Sequence, residues 1–330
     1  MSTSAKKPLN VVLGVANVGD TAADTMARFD KPDEVNAFLD AFLERGYKQI
    51  DTARGYSPGA PGSSEPRLGA AGAGDRTIID TKVLSMKPGS HQKAKILEGI
   101  DSSLRELNIK QINIEYLHAP DRTTPFEEAA EAMNQAHREG KIKHWGISNY
   151  TADEVQRFID ICEEHGWVKP SVYQGHYNPI VRSGEPSLFP VLRKHNIAFY
   201  AYSPAAGGFF AGSYNEERTG GRFDAKHMIG NLYRHFYVKP AITDAADKII
   251  EVAAKHGIKG HAAALRWTTY HSILSAEHGD SVIIGASSVE QLRTNLDVIE
   301  QGPLPDDVVA AFEVLHEKVK GLEEGVSYHF

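Results

Sequence analysis

The chain has 330 residues, of which 41% are hydrophobic and 24% charged, the composition of an ordinary globular protein with a large core. A net charge of −7 and a pI near 6.1 give no electrostatic basis for binding nucleic acid or an anionic membrane surface. No run approaches the ~18 apolar residues of a membrane span, and the first eight residues lack an apolar signal core, so neither a span nor a leader is expected.

Short β-rich runs alternate with amphipathic stretches along the whole chain. Eight such runs predict eight strands, and because they alternate with helices they favour a closed barrel, the (β/α)8 TIM barrel, as one domain over residues 1–330. An open doubly wound sheet usually carries a glycine fingerprint after its first strand, and that fingerprint is missing here. The predicted strands are 11–14, 49–51, 77–81, 112–117, 143–148, 172–174, 197–202 and 281–285, and the predicted helices are 33–45, 93–107, 125–139, 152–165, 243–256 and 288–300.

Several local signals refine this pattern. The run Gly69-Ala-Ala-Gly-Ala-Gly74 precedes a strand, so we interpret it as a flexible turn and not as a dinucleotide-binding loop. Capping-box spacing at Thr151 to Glu154 and at Ser287 to Glu290 predicts two helix starts just after strands. Cys162 is the only cysteine and lies in a helical pattern, which predicts a buried thiol and a reducing, cytoplasmic compartment. The irregular connection 203–241 after the seventh strand is long enough to predict a functional loop.

Four ionisable side chains, Asp51, Tyr56, Lys82 and His118, fall at or just past the C-terminal ends of three successive predicted strands. In a parallel barrel these ends meet at one mouth, where the chemistry of such folds takes place. Tyrosine is a weak acid, with an unperturbed pKa of roughly 10. A neighbouring ammonium lowers that pKa and a carboxylate holds the ammonium in place. The set therefore predicts a proton-donating device.

Each of the four also has a structural alternative. Asp51 could cap its loop, Tyr56 could be an exposed tyrosine among glycines and prolines, Lys82 could be a solvated strand end, and His118 could be a hydrogen-bonded structural histidine. The joint arrangement at three strand ends is what favours the catalytic interpretation.

Two features after the last two strands predict anion binding. Small residues fill Tyr202 to Gly212, where backbone amides can approach phosphate, although a flexible lid is the alternative. Gly285-Ala-Ser-Ser288 opens a helix whose N-terminus favours negative charge. Barrels often bind phosphate at these two places, which predicts a phosphorylated cofactor. The sequence has no metal-binding histidine motif at a strand end and no serine-hydrolase elbow, so we expect no catalytic metal.

These residues together resemble the aldo-keto reductases. Matching runs that span almost the whole chain are Ile50-Asp-Thr-Ala53 with Tyr56, Asp80-Thr-Lys82, Tyr116-Leu-His-Ala-Pro120, Gly140-Lys-Ile-Lys143, Trp145-Gly-Ile-Ser-Asn-Tyr150, Gln174 with Tyr177-Asn178, and Ala201-Tyr-Ser-Pro204. Finer motifs resemble the branch of aflatoxin-aldehyde and succinic-semialdehyde reductases, among them His118-Ala-Pro-Asp121, Gly221-Arg-Phe223 and Ala264-Leu-Arg-Trp267.

The resemblance implies an NADPH-dependent reductase of aldehydes or ketones, with NADPH/NADP+ as cofactor. Tyr56 would be the general acid, Lys82 and Asp51 would tune it, and His118 would polarise the substrate carbonyl. Ser148, Asn149 and Gln174 would hold the nicotinamide amide and Tyr202 would stack on its ring. The loop residues implied at the pyrophosphate are Ser203, Pro204, Ala205, Gly207, Gly208, Gly212 and Ser213. Those implied at the adenosine end are Arg222, Ser287, Ser288, Gln291 and Asn295, with Arg222 at the 2′-phosphate.

The chain departs from the family pattern at several positions. Ser213 stands where a lysine is expected, and Gln291 stands where many members have an arginine. The substrate loop carries Tyr233, Arg234 and Phe236, with Phe236 in place of a second arginine of the semialdehyde reductases. We therefore expect neutral or aromatic aldehydes to be preferred over short carboxylated ones.

Aldehyde reduction is thus the expected function. A cofactor-binding regulatory subunit of the same fold and an alcohol dehydrogenase working in the oxidative direction are the alternatives. The expected partner is a small aldehyde or ketone, with no nucleic acid and no membrane, and the sequence leaves a homodimer open.

Overall fold

The computed structural model describes residues 8–85, 87–212, 214, 222–226, 228–320, 322 and 326–329. Its eight strands form one closed parallel barrel in which neighbours in sequence are neighbours in space and the first strand pairs with the last. The predicted (β/α)8 barrel is confirmed, and the predicted strand bounds lie within two residues of the observed ones. The strands are β1 (Asn10–Gly14), β2 (Gln49–Asp51), β3 (Ile78–Val83), β4 (Ile112–Leu117), β5 (Ile142–Ser148), β6 (Val172–His176), β7 (Ala198–Tyr202) and β8 (Ser281–Ile284).

The helices surround the barrel, and none of those in the described ranges is long and apolar enough to cross a membrane. Six correspond to predicted helices; α2, α6, α7, α9 and α11 were not predicted, three of them because seven residues give too short a periodic pattern. The helices are α1 (Pro32–Leu43), α2 (Ser64–Ala70), α3 (Lys93–Glu106), α4 (Phe126–Arg138), α5 (Ala152–His165), α6 (Leu188–Lys194), α7 (Met228–Tyr237), α8 (Pro240–Ala254), α9 (Gly260–Arg266), α10 (Val289–Glu300) and α11 (Asp306–Lys320).

The two predicted capping boxes have different outcomes. At α5 the prediction is confirmed, because Thr151 Oγ1 accepts from the backbone N–H of Glu154 at 3.2 Å and the Glu154 carboxylate accepts from the Thr151 N–H at 2.8 Å. At α10 the predicted cap was wrong by one residue. The capping hydroxyl is Ser288 Oγ, which accepts from the N–H of Gln291 at 3.1 Å.

The interpretation of residues 69–74 as a turn holds only for residues 71–72, because Gly69 and Ala70 belong to α2 and a 3-10 helix begins at Ala73. Gly69 lies in α2 and packs so closely on the C-terminal end of α3 that a Cβ atom there would come within 2.0 Å of the Glu106 carbonyl oxygen. Gly72, with φ +67°, then reverses the chain. The glycines therefore permit a close helix contact and a left-handed turn, which composition alone did not distinguish from flexibility.

Apolar residues fill two separate regions. A small cluster from five strands, including Val12, Ile114, Val172, Tyr200 and Ile283, fills the interior of the barrel. A much larger cluster lies between the barrel wall and the helices and includes Cys162, which is fully buried as predicted. The interior of the barrel is therefore filled by side chains and is not an open channel.

Glu115 is an exception in the outer shell. It is fully buried on β4, and neither of its carboxyl oxygens has a hydrogen-bond partner among the described residues. Burial raises the pKa of Glu115 well above its usual value, and the negative charge of nearby Glu65 raises it further. Glu65 itself is satisfied by Thr81, Ser103 and Arg54. We therefore expect Glu115 to be protonated at neutral pH.

A raised native pKa makes stability depend on pH. The native state retains a proton that the unfolded chain releases above about pH 4.3, so the Glu115 contribution falls by about 1.4 kcal/mol per pH unit until the native group ionises. Glu115→Gln removes this dependence. Urea unfolding at pH 5 and pH 8 should show the variant gaining stability relative to wild type as pH rises. The exposed Glu98→Gln on α3 is the control, and a difference between Glu115→Gln and wild type that stays constant with pH would refute the assignment.

Candidate active site

The four predicted residues meet at the mouth of the barrel. Asp51 ends β2, Lys82 lies near the end of β3, Tyr56 lies in the loop after β2, and His118 follows β4. Lys82 Nζ donates to Asp51 Oδ1 at 2.6 Å, to the Thr52 carbonyl oxygen at 2.7 Å and to the Tyr56 hydroxyl at 3.1 Å. Lys82 thus donates its three ammonium protons to three oxygens, one of which is the phenol oxygen of Tyr56.

The Lys82 and Asp51 side chains are almost fully buried, with exposed fractions of 0% and 3%. Burial lowers the pKa of Lys82, but Asp51 and Tyr56 together raise it further than burial lowers it, so the net pKa lies above its usual value. Lys82 is therefore a permanent cation at the floor of the site.

The pKa of Tyr56 is raised overall, although a neighbouring ammonium was expected to lower it. Burial raises the pKa of the phenol and the negative charge of Asp51 raises it further, while Lys82 lowers it, as predicted, and Arg222 adds a smaller lowering effect. The burial effect is the larger one, so the net pKa is raised. The consequence is a phenol that keeps its proton throughout the neutral range while its oxygen is in contact with a cation that stabilises the phenolate once the proton leaves.

Gln174 contributes to this arrangement in a way that the sequence did not indicate. Its side-chain Nε2 donates to Asp51 Oδ2 at 2.8 Å across the barrel from β6. Asp51 is thereby bonded through both oxygens, by Lys82 on one side and by Gln174 on the other. A carboxylate satisfied at both oxygens has its orientation determined.

His118 lies edge-on to Tyr56, with ring centroids 5.7 Å apart. Burial, reinforced by the charge of Lys82 and by His91, lowers the pKa of His118 to about 3. The imidazole is therefore neutral and can donate one hydrogen bond without adding charge to the site.

A polar network that the sequence did not reveal supports the His118 loop. The His91 ring is hydrogen-bonded through Nε2 to Ser85 Oγ at 2.8 Å and through Nδ1 to the Tyr150 hydroxyl at 3.3 Å. The backbone N–H of His91 donates to Asp121 at 3.1 Å. The only sequence signal for this network was the motif His118-Ala-Pro-Asp121, which ends at Asp121. The network anchors the loops after β3, β4 and β5 to one another.

The ends of β5 and β7 are joined through Asn149. Its Nδ2 donates to the His118 carbonyl oxygen and to Ser148 Oγ, both at 3.0 Å, and its Oδ1 accepts from the Tyr202 hydroxyl at 2.8 Å. The backbone of Asn149 has φ +68°. Three of the residues predicted to contact a nicotinamide ring, Ser148, Asn149 and Tyr202, thus form one bonded unit.

The loop after β7 is a short 3-10 turn, Ala206–Ala211, with several left-handed residues. The φ values are +54° at Ser203, +51° at Ala206, +63° at Gly207 and +92° at Gly208. At Gly207 a Cβ atom would lie 2.4 Å from the Tyr233 ring, so glycine is required there for space as well as for conformation. Successive backbone N–H groups in such turns form anion-binding concavities. Ser213 lies outside the described residues.

The predicted adenosine-end residues after β8 also come together. Ser287 donates through N–H and Oγ to Gln291 Oε1 at 2.6 and 2.8 Å, next to the Ser288 cap. Asn295 is bonded to the Gly285 carbonyl oxygen at 3.3 Å and to His261 at 3.0 Å, and His261 was not predicted. Arg222 lies beside Gly207 of the loop after β7.

The three residues of the predicted substrate loop, Tyr233, Arg234 and Phe236, lie on α7. The Tyr233 hydroxyl is 2.7 Å from Ser203 Oγ, and the ring of Phe236 is 5.8 Å from that of His176. Arg234 instead donates to the backbone carbonyl of Tyr214 at 3.3 Å, so its guanidinium is engaged with the preceding loop.

The arrangement can donate a proton from Tyr56, orient a carbonyl oxygen through neutral His118 and bind phosphate at two places. Within the described ranges, no group of three or more His, Cys, Asp or Glu side chains is arranged to hold a metal ion.

Comparison with known proteins places the chain among enzymes. Residues 10–317 match the model of the aldo/keto reductase family. The chain is 40% identical to an aldo-keto reductase of Pseudocercospora fijiensis over 86% of this chain and 97% of the relative. It is 39% identical to human aldo-keto reductase family 7 member A3, over 91% of this chain and 92% of the relative. It is also 39% identical to human aflatoxin B1 aldehyde reductase member 2, over 91% of this chain and 84% of the relative.

Proposed function

We propose, from the premise that the chain belongs to the aldo/keto reductase family, that it reduces aldehydes to alcohols with NADPH and with Tyr56 as the general acid. The family acts on small carbonyl compounds with a nicotinamide cofactor, so the chain is an oxidoreductase. Aldehydes as substrates are suggested by the similarity to aflatoxin B1 aldehyde reductase.

The observation that carries the proposal is the contact between Lys82 Nζ and the Tyr56 hydroxyl at 3.1 Å, with Lys82 itself held by Asp51 at 2.6 Å. A cation in direct contact with a phenol stabilises the phenolate that forms when the proton is donated. A protein that only binds a cofactor has no need of such a buried pair, whose formation requires the desolvation of two charges.

The chemistry can be assigned residue by residue. The cofactor, when bound, supplies the hydride to the carbonyl carbon. Tyr56 donates its hydroxyl proton to the carbonyl oxygen, Lys82 compensates the charge left on the phenolate, and neutral His118 donates a hydrogen bond that orients the same oxygen. The 3-10 turn at Gly207 and the capped start of α10 would hold the phosphates of a dinucleotide, because turns with left-handed residues and helix N-termini favour anions.

The cofactor contacts can be assigned from the nicotinamide end to the adenosine end. Ser148, Asn149 and Gln174 would hold the nicotinamide amide and Tyr202 would stack on the ring. The loop from Ser203 to Gly212 would bind the pyrophosphate, and Ser287, Ser288, Gln291 and Asn295 would bind the adenosine. Arg222 would bind the 2′-phosphate. We assign the protein to the cytoplasm because its single cysteine, Cys162, is buried and unpaired.

Tyr56→Phe tests the general acid. Turnover of a simple aldehyde should fall by about 10²–10⁴-fold, because only the proton donor is lost. The dissociation constant for NADPH should stay within about twofold, since the ring remains. NADPH consumption and tryptophan-fluorescence titration measure the two quantities. Tyr270→Phe, whose hydroxyl bonds the Ile299 carbonyl outside the site, is the control, and near-normal kcat in Tyr56→Phe would show that the roles are assigned wrongly.

Arg222→Leu tests cofactor selection. Wild type should bind NADPH more tightly than NADH, and loss of one charge-assisted contact of roughly 1.5–3 kcal/mol should weaken NADPH by about one to two decades. NADH binding should change little. The exposed Arg138→Leu at the end of α4 is the control. If Arg222→Leu weakened both cofactors equally, Arg222 would contact the pyrophosphate and the 2′-phosphate assignment would be wrong.

A further inference from the structure

The helix α7, which carries Phe236, is attached to the barrel mouth by two tyrosine hydroxyls. The Tyr237 hydroxyl is hydrogen-bonded to His176 Nε2 and accepts from Asn178 Nδ2 at 3.0 Å. The Tyr233 hydroxyl lies 2.7 Å from Ser203 Oγ. These contacts place Phe236 between two anchors.

His176 is the last residue of β6 and is 3% exposed. Its ring lies parallel to that of Tyr202, with centroids 5.2 Å apart and an interplanar angle of 4°. The His176 imidazole therefore contacts Tyr202 through its ring face and Tyr237 of α7 through Nε2.

The direction of the hydrogen bonds can be assigned. Asn178 Nδ2 can only donate, so the Tyr237 oxygen accepts from it. The proton of this buried hydroxyl needs an acceptor, and His176 Nε2 is the neighbour that can accept it, so we assign Tyr237 as the donor to His176. Burial lowers the pKa of His176 to about 3, so the ring is neutral and Nε2 is free to accept. His176 thus has its proton on Nδ1.

We propose that His176 is a positioning residue that links the Tyr202 ring to α7, so that the surface under the nicotinamide and the substrate-facing Phe236 move as one unit. The roles of Tyr202 and Phe236 rest on the proposed function; the mechanical link between β6, β7 and α7 does not. Phe236 is 5.8 Å from the His176 ring, so a shift of α7 displaces it from the same surface.

The chain offers variants that separate the two contacts. His176→Phe keeps an aromatic ring against Tyr202 but removes the acceptor. Tyr237→Phe removes the donor, and its ring stays packed among Phe209, Phe223 and Tyr233, at 5.7, 6.1 and 5.7 Å. His176→Leu removes both the stack and the acceptor.

Amide hydrogen exchange of residues 228–237 measures the link without any substrate. His176→Phe should accelerate exchange about tenfold, and Tyr237→Phe at least as much, because it also removes the bond from Asn178. The double variant should exchange little faster than Tyr237→Phe alone, because the bond between His176 and Tyr237 is already lost. Tyr270→Phe should leave exchange in α7 unchanged. Equal exchange in wild type and both single variants, or fully multiplicative effects in the double variant, would overturn the proposal.

Kinetics distinguish positioning from general destabilisation. In both single variants KM for an aromatic aldehyde should rise about five- to tenfold, while kcat and the urea midpoint of unfolding change little. NADPH affinity should be retained in His176→Phe and reduced in His176→Leu, where Tyr202 loses its support. An unchanged KM would overturn the role of the link in substrate binding. If wild type reduced no aldehyde, the proposed function would fail, whereas the exchange result would stand by itself.

Discussion

The buried pair between Lys82 and Asp51 is the constraint on which the rest of the site depends. Two charges with exposed fractions of 0% and 3% are stable only when every remaining donor and acceptor is satisfied. The Thr52 carbonyl and the Tyr56 hydroxyl take the other two Lys82 protons, and Gln174 bonds the second Asp51 oxygen. Because Gln174 comes from β6 while Asp51 and Lys82 come from the adjacent strands β2 and β3, the full set of bonds around the pair can form only when the barrel is closed.

The surroundings keep other charges away from this pair. His118 and His176 are neutral because burial lowers the pKa of both to about 3. Asp80 lies two residues before Lys82 in β3, and burial raises its pKa to about 8. Its two carboxyl oxygens accept hydrogen bonds from Gln49 and Asn113, both at 2.7 Å. Asp51 is therefore the main negative charge close to Lys82, and few other charges weaken the effect of Lys82 on the Tyr56 oxygen. This is the condition under which one ammonium stabilises a developing phenolate.

Strand-end reasoning predicted the barrel and the four residues because strand order and strand ends are local properties of the sequence. Asp51, Lys82 and His118 follow apolar runs, and parallel strands bring such ends together whatever the side chains between them do. The capping box at Thr151 was equally local and equally predictable. The net rise in the Tyr56 pKa was not predictable in this way, because it depends on how far burial and the charge of Asp51 outweigh the charges of Lys82 and Arg222.

The features of the site that were missed depend on contacts between distant parts of the chain. His176 bonds a residue 61 positions away, and His91 bonds Tyr150, 59 positions away. Nothing in the local pattern around either histidine distinguishes it from a surface residue. The helix α7 was missed because its sequence lies inside a long irregular connection, and its position is determined by Tyr233 and Tyr237 packing onto the mouth. Gly69 required knowledge of where α3 ends in space.

A double-mutant cycle on the rate of hydride transfer tests the central claim most directly. Single-turnover oxidation of NADPH would be followed in wild type, Lys82→Met, Asp51→Asn and the double variant. If the two residues act on Tyr56 as one unit, the double variant should be about as slow as the slower single variant, because the second substitution removes an interaction already lost. Independent effects that multiply in the double variant would contradict the account.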